Sequence, residues 1–152
     1  MAFDARLEPD RLAPDAALRV FLDRLYGDGA VVSFVGVARG RDRDGQAVAG
    51  LHLDHYPGAT EASLAAIVAD ARRRFAISDA MVVHRAGFVA AGEPIVFAAA
   101  AAPHRRVAFL AADYLMDRLK TDAMFWKRED GADGGRWIEP TEQDQADRQR
   151  WE

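Results

Sequence analysis

The chain has 152 residues, of which 50% are hydrophobic and 29% are charged, with a formal net charge of −4 and no cysteine. This size and composition are typical of a single globular domain that buries a sizeable core. The acidic balance argues against a general nucleic-acid-binding protein, and the lack of cysteine excludes disulfides, thiolate metal sites and cysteine nucleophiles.

A helix and a strand are predicted in the N-terminal part of the chain. Pro14 opens the helix, whose apolar stripe faces the core, and Gly27 closes it. Residues 29–38 are apolar and rich in β-branched side chains, so they predict a buried strand. Arg39 emerges from this strand, at a position where the scaffold would hold its side chain against a cleft.

A charged loop and a second strand are predicted next. Residues 39–47 alternate arginine with aspartate around an Asp-Gly turn, and a solvated turn is sufficient to explain Arg41 and Arg43. Apolar and polar residues alternate over residues 48–56, which predicts a strand that pairs with the preceding one.

A second helix and two further strands follow. Thr60 is expected to be the N-cap of the helix, whose apolar residues from Leu64 to Phe75 face the core. Residues 80–86 and 94–102 predict two strands on either side of a turn, although the alanines that end the second run favour a helix by intrinsic propensity.

Most of the candidate chemistry lies on a third helix. Apolar residues at helical spacing predict that it begins at Pro103 and ends near Lys120. His104 and Arg105 lie at its start, where free backbone N–H groups and basic side chains suit a phosphate or carboxylate. Two alternatives stay open at this stage: solvated basic side chains at the start of the helix, and a simple capping role for Lys120 at its end.

A strand is predicted after this helix, from Phe125 to Glu129, and it places Lys127 beside an aromatic side chain on one face. Two lysines near an anion site suggest acid/base or carbonyl chemistry on a negatively charged substrate. Residues 123–139 are expected to form a hairpin around a loop at residues 130–135. In the polar tail, residues 141–152, only Trp151 is expected to dock.

The fold class predicted from these elements is α+β with a mixed or antiparallel sheet, because several strands are joined too tightly for parallel crossovers. No familiar ligand spacing connects the four histidines, so neither a metal nor another cofactor is expected. The glycines match neither the Rossmann nor the Walker pattern. A polar, acidic N-terminus and the short apolar runs lead us to expect a cytoplasmic protein without a membrane anchor.

Several blocks of the sequence, in matching order and spacing, resemble the large, catalytic subunit of molybdopterin synthase. They are GAVVSFVGVAR, LHLDHYPGATE, VVHRAG, GEPIVF, PHR, YLMDRLKTDAMFWKRE and GRWIE, and they span residues 29–139. The resemblance implies an α/β hammerhead fold with an additional α+β portion, in a single domain over residues 1–140. It also implies a sulfurtransferase that converts cyclic pyranopterin monophosphate into molybdopterin, the organic part of the molybdenum cofactor.

The resemblance assigns roles to seven residues by position. Lys120 and Lys127 correspond to catalytic lysines, and the substrate-binding positions correspond to Arg39, His104, Arg105, Arg128 and Glu129. The sequence departs from the family pattern at Ala102-Pro103, and at Met124, where relatives often have a proline. These departures affect the backbone more than the chemistry.

The resemblance also implies how sulfur reaches the site. A chain without a thiol cannot carry sulfur itself. In the family, sulfur arrives as a thiocarboxylate on the C-terminal Gly-Gly of a small ubiquitin-like subunit, and two large subunits form a homodimer within a heterotetramer. We expect Arg39, His104 and Arg105 to hold the substrate's anionic groups, Lys120 to transfer protons and stabilise developing charge, and Lys127 to orient the substrate.

A competing hypothesis is a non-catalytic module that uses the same basic cleft to bind a nucleotide, a phosphorylated ligand or the acidic tail of a partner. The module would tolerate Lys120→Arg, because charge alone would suffice, whereas acid/base chemistry would not.

Overall fold

The computed structural model describes residues 4–131 and 134–152. Within these ranges the chain forms four helices and eight strands. In chain order they are β1 (Asp4–Glu8), α1 (Pro14–Asp23), β2 (Ala30–Val37), β3 (Val48–His55), α2 (Ala59–Arg74), β4 (Asp79–Arg85), β5 (Gly87–Ala90), β6 (Pro94–Ala102), α3 (Arg105–Thr121), β7 (Phe125–Gly131), β8 (Gly134–Ile138) and α4 (Glu142–Gln149).

The first sheet has the strand order β1-β4-β6-β2 and is covered by helices on both faces. Strands β1 and β4 are parallel, and the other pairs are antiparallel. Because side chains alternate along a strand, Ala80 and Val82 pack against α2 and α3, whereas Met81 and Val83 pack against α1. Burial on both faces also explains why the alanines at the end of β6 form a strand despite their helix propensity.

The second sheet is antiparallel, with the order β5-β3-β7-β8. Ala38, Leu53 and Val89 form a small apolar cluster between the two sheets, and Ile95 and Phe125 pack against it. The chain is therefore α+β with a mixed and an antiparallel sheet, as predicted. No helix in the described ranges is long and apolar enough to cross a bilayer.

Two predictions about β2 and β3 are wrong. Strand β2 is not buried, because it lies at the edge of the first sheet, where Phe34 and Val37 are 43% and 50% exposed. Strand β3 does not pair with β2 but with β5 and β7, because the turn at residues 41–47 carries the chain from one sheet to the other. The alternation of apolar and polar residues along a strand indicates which face is buried, but it does not indicate which strands lie beside it.

Other predicted boundaries change by small amounts. Thr60 is not the N-cap of α2: that position is taken by Gly58, whose φ of 83° favours glycine, and Thr60 lies buried in the first turn. Helix α3 starts after His104, its N-cap, and not at Pro103. The short strand β5 was not predicted.

The C-terminal part of the chain forms a hairpin and a helix. Strands β7 and β8 pair as predicted, but they extend further than expected, to Gly131 and from Gly134, and the remainder of the predicted loop lies outside the described residues. In the tail, α4 packs along α3, and Trp151 docks edge-on against Phe75 and Tyr114, with ring centroids 5.8 and 5.4 Å away. The proposed division of the chain at residue 140 stays a prediction.

The ion pair between Arg24 and Asp79 yields a stability prediction. Arg24 Nε lies 2.7 Å from Oδ2 of Asp79, a fully buried carboxylate, and Nη2 lies 3.1 Å from its Oδ1. We expect Arg24→Met to lower the free energy of unfolding by about 3 kcal/mol, because the carboxylate would be buried without its counter-charge. Urea unfolding measures this change.

The control is Arg19→Met, which removes an exposed ion pair to Asp23 on the same helix and should change stability by less than about 0.5 kcal/mol. An equally small decrease in the free energy of unfolding for both variants would contradict the importance of the buried ion pair.

Candidate functional site

Lys120 and Lys127 are brought together where α3 ends and β7 begins. Lys120 is in the last turn of α3 and is exposed, and Lys127 is the third residue of β7 and is half-buried. They are also the only two lysines in the sequence, which contains 20 lysine and arginine residues in total. The chain has therefore placed both of its titratable side-chain amines at one site.

The environment of Lys127 lowers the pKa of its amine from 10.5 to about 8. Burial is the main cause, and the positive charge of Lys120 acts in the same direction. Asp144, from α4, acts in the opposite direction. An amine with a pKa near 8 can release and take up a proton close to neutral pH, which an ordinary surface lysine cannot do.

His84 is a member of the site that the sequence alone did not single out. It is buried on β4, and its ring stacks on that of Phe125, with centroids 4.2 Å apart and an angle of 25° between the planes. The pKa of His84 is lowered to about 3. Burial is the main cause, and the charges of Lys127 and Lys120 act in the same direction, whereas the hydrogen bond to the Arg85 carbonyl acts in the opposite one.

The hydrogen bond fixes the tautomer of His84. Because His84 is neutral and Nδ1 lies 2.9 Å from the Arg85 carbonyl oxygen, Nδ1 carries the proton and Nε2 is left as an acceptor. In the sequence, His84 lies in the block VVHRAG, one of the blocks on which the resemblance rests. That block does not indicate which side chains His84 contacts.

Arg39 lies at the same end of the first sheet as the two lysines. Strand β2 ends beside Pro94, where β6 begins, and α3 runs back along β6 so that Lys120 returns to this end. Ala38, directly before Arg39, packs in the cluster that contains Phe125. Arg39 is exposed, and the described residues offer it no hydrogen bond or ion pair, so its guanidinium is available for an anion.

His104 and Arg105 lie at the opposite end of α3. Fifteen residues of helix separate Arg105 from Lys120, which corresponds to about 22 Å at a rise of 1.5 Å per residue. Both residues are exposed at the start of the helix. One copy of the chain therefore does not bring this basic pair into the same site as the lysines.

Arg128 and Glu129 are engaged within the second sheet. Arg128 points to the face of β7 opposite Lys127, where its guanidinium lies 5.8 Å from the ring centroid of Trp137 and its Nε lies 3.5 Å from Asp130 Oδ1. Glu129 shares the face of Lys127 and accepts a hydrogen bond from Arg136 at 3.2 Å. Neither residue lines the cavity that opens beside Lys127.

A cavity of about 290 Å³ opens beside Lys127. Its lining is mostly aromatic and apolar, and it is formed by Tyr56, Met124, Phe125, Trp126, Lys127, Trp137, Ile138, Glu139 and Pro140. This size is close to the lower end of ligand pockets, and one amine in an apolar wall is the usual arrangement for orienting a polar group. The cavity gives a small or extended ligand access to Lys127.

Comparison with known proteins adds to this geometry. The family model described as MoaE protein matches residues 8–122. A molybdopterin synthase catalytic subunit of Caulobacter vibrioides is 52% identical over 124 residues, which is 82% of this chain and 81% of that protein. The solved molybdopterin biosynthesis MoaE protein of Burkholderia ambifaria has a TM-score of 0.80 at 38% identity, over 99% of this chain and 98% of that one.

A more distant solved structure has the same fold. It is a protein-protein complex of subunits 1 and 2 of the molybdopterin-converting factor of Helicobacter pylori, with a TM-score of 0.72 at 18% identity, over 91% of this chain and 90% of that one. The architecture is thus retained at low sequence identity.

The electrostatic coupling at the site can be tested with amine-labelling reagents, because the chain has only two lysines. We expect labelling of Lys127, followed by mass spectrometry across pH, to be half-maximal near pH 8. Lys120→Met should raise the pKa of Lys127, because a neighbouring positive charge is removed, and Asp144→Asn should lower it, because a stabilising carboxylate is removed.

Asp147→Asn, on the same helix as Asp144, is the matched control and should leave the labelling profile of Lys127 unchanged. A profile of Lys127 that is insensitive to both Lys120→Met and Asp144→Asn would contradict the coupling.

Proposed function

The chain belongs to the MoaE protein family, and we propose that it is the catalytic subunit of a molybdopterin synthase, which adds two sulfur atoms to cyclic pyranopterin monophosphate to form molybdopterin. The observation that carries this proposal is the pair of lysines at one site, with the pKa of Lys127 lowered to about 8. The proposed reaction takes place in the cytoplasm, as is usual for bacterial biosynthetic enzymes such as those that the chain resembles.

The sulfur is supplied by a second protein. The chain has no cysteine, so no side-chain thiol is present to carry the atom. The proposed donor is a small ubiquitin-like subunit that ends in a thiocarboxylated Gly-Gly, and the related structure from Helicobacter pylori is a complex of two different subunits. No cofactor of the chain's own enters the proposal, because the donor brings the reactive atom.

Each transfer involves three bond changes. The thiocarboxylate sulfur forms a bond to a carbon of the pyran-ring side chain, and the C–O bond at that carbon breaks, so that its oxygen leaves as water or as an oxygen of the phosphate group. Water then cleaves the acyl C–S bond, so that the sulfur stays on the substrate and the donor leaves as an ordinary carboxylate. Because two sulfur atoms are needed, a spent donor departs and a second one arrives.

The two lysines take different parts in these steps. The lowered pKa suits Lys127 to the proton transfers that the sequence analysis assigned to Lys120. Lys120, which is exposed and close enough to Lys127 to lower its pKa, stabilises the negative charge that develops on the acyl and leaving oxygens. Arg39 binds an anionic group of the substrate at the same end of the sheet.

The proposal includes a homodimer, because β2 is an apolar strand on whose outer edge residues 4–131 and 134–152 place no neighbouring strand. Phe34, Val35 and Val37 are all exposed in a single copy. An exposed edge strand is a template for pairing with another chain, and a second copy of β2 in antiparallel orientation satisfies both its hydrogen bonds and its side chains.

This pairing would complete the anion site. In an antiparallel pair of β2 strands, Arg39 at the end of one strand lies beside Gly29 at the start of the other. The Gly29 N–H donates to the Ala102 carbonyl at 3.2 Å, so the partner subunit's His104 and the partner subunit's Arg105 follow close to Arg39. Two such dimeric sites, each with one donor subunit, correspond to the heterotetramer expected from the resemblance.

Replacement of Lys120 tests the enzymatic role. We expect Lys120→Ala to lower the rate of dithiolene formation roughly 100-fold or more, with folding intact, because developing charge loses its stabilising cation. The assay mixes the purified chain with thiocarboxylated donor and pyranopterin and detects the product by mass. Near-normal product from this variant would refute the role. A natural chain that binds the pyranopterin but forms no product, with binding retained in Lys120→Arg, would favour the non-catalytic binding module.

Subunit mixing tests the shared site. Lys120→Ala and Arg105→Ala are each expected to be inactive alone, but coexpression should restore about a quarter of wild-type activity, because half of the dimers are mixed and each mixed dimer has one intact site. Lys120→Ala coexpressed with Lys127→Ala is the control and should stay inactive, because both changes fall in the same half of the site. No recovery with the first pair would contradict a site formed by two copies.

A further inference from the structure

Met124 lies in the short connection between the two lysines, and both of its backbone groups are bound by hydroxyl groups of α2. Its N–H donates to Ser63 Oγ at 3.1 Å, and its carbonyl oxygen accepts from Thr60 Oγ1 at 2.5 Å. Only residues 122–124 separate the end of α3 from the start of β7. The position of Met124 therefore sets how the helix with Lys120 and the strand with Lys127 meet.

The two hydroxyl groups are themselves held in place. Thr60 is fully buried, and its Oγ1 also accepts from the Tyr56 N–H at 2.9 Å. Ser63 Oγ donates to the Thr60 carbonyl at 2.7 Å. Loss of the Thr60 hydroxyl would remove both hydrogen bonds at once, so the Met124 carbonyl and the Tyr56 N–H would have to find other partners.

We propose that Thr60 and Ser63 are positioning residues that fix the spacing of Lys120 and Lys127 by holding the backbone of Met124. This arrangement, the Met124 clip, consists of Thr60, Ser63 and Met124. It rests on the proposed function, because it concerns the lysines to which the chemistry is assigned. Helix α2 is a rigid anchor for the clip, since its Leu64, Ile67 and Val68 are buried in the main core.

Met124 stands where relatives often have a proline, and this difference explains why the clip is needed in this chain. A proline there has no N–H and cannot donate to Ser63, but its ring fixes φ. Met124 leaves φ free and supplies a donor, so the Ser63 hydroxyl restricts this backbone in place of the ring. Met124→Pro should therefore make Ser63 dispensable.

The test combines kinetics with labelling of the lysines in the full-length chain. We expect Thr60→Val to lower kcat roughly 10- to 100-fold with little change in KM, since small displacements of catalytic groups have effects of this size. The pH of half-maximal labelling of Lys127 should move upward, because a looser site weakens the effects of burial and of Lys120. Thr60→Ser should retain wild-type values of both.

Ser78→Ala provides the matched control. It removes a partly buried hydroxyl that donates to the Ala101 carbonyl at the other end of the first sheet, so it should lower stability without changing the labelling profile of Lys127. Ser63→Ala should lower kcat in the natural chain and have no effect in a Met124→Pro background. This pair keeps the test decisive if Thr60→Val does not fold.

The possible outcomes distinguish a positioning role of Thr60 and Ser63 from a purely structural one, and they distinguish failure of the clip from failure of the proposed function. Loss of stability in Thr60→Val and Ser63→Ala with unchanged kcat and labelling would overturn the clip. Labelling needs no substrate, so a shifted profile in a chain that makes no product would support the clip while it contradicts the proposed function.

Discussion

Burial of the Lys127 amine beside a second positive charge is the constraint that the site depends on. Burial lowers the pKa of Lys127, and the charge of Lys120 lowers it in the same direction because the fold holds the two side chains close together. Helix α3 is anchored by its packing on β6 and α2, and β7 is anchored by its ladder with β3. Phe125 joins these anchors, because it contacts the cluster between the sheets and stacks on His84. The lowered pKa of Lys127 thus depends on packing contacts that extend well beyond the site.

The choice between lysine and arginine carries information about chemistry. Of the 20 basic residues, the chain uses arginine everywhere except at positions 120 and 127. Arginine is the better residue for ion pairs and stays protonated at any physiological pH, and the structure uses it for the pairs with Asp79, Asp70 and Asp117. A site that needed only positive charge would be served by arginine. At position 127 the lowered pKa of the amine allows it to lose a proton, which an arginine could not do.

Much of the fold could be predicted from the sequence, because α1, α3 and β7 carry strong local patterns. The site was predictable only in part. Lys120 and Lys127 stand out as cations near helical and strand ends, whereas His84 could not be recognised without knowing that β4 and β7 lie against each other. Thr60 looked like an N-cap because its hydroxyl has the right chemistry, but a long-range bond to Met124 uses it instead. Local sequence patterns determine the helices and strands, whereas contacts between distant segments of the chain determine the functional roles of these side chains.

The wrong prediction for β2 and the divided anion site have a common physical origin in the proposed dimer. The sequence of β2 is that of a strand covered on all sides, yet one copy leaves it at an edge. Helix α3 has a fixed length of 17 residues, so no side-chain movement within one copy can carry Arg105 to Lys120. A second copy paired through β2 would cover the apolar edge and bring the missing cations to Arg39 in the same step. Burial of the apolar edge of β2 and catalysis would then depend on the same interface. A substitution that weakened this interface would reduce both the burial and the activity.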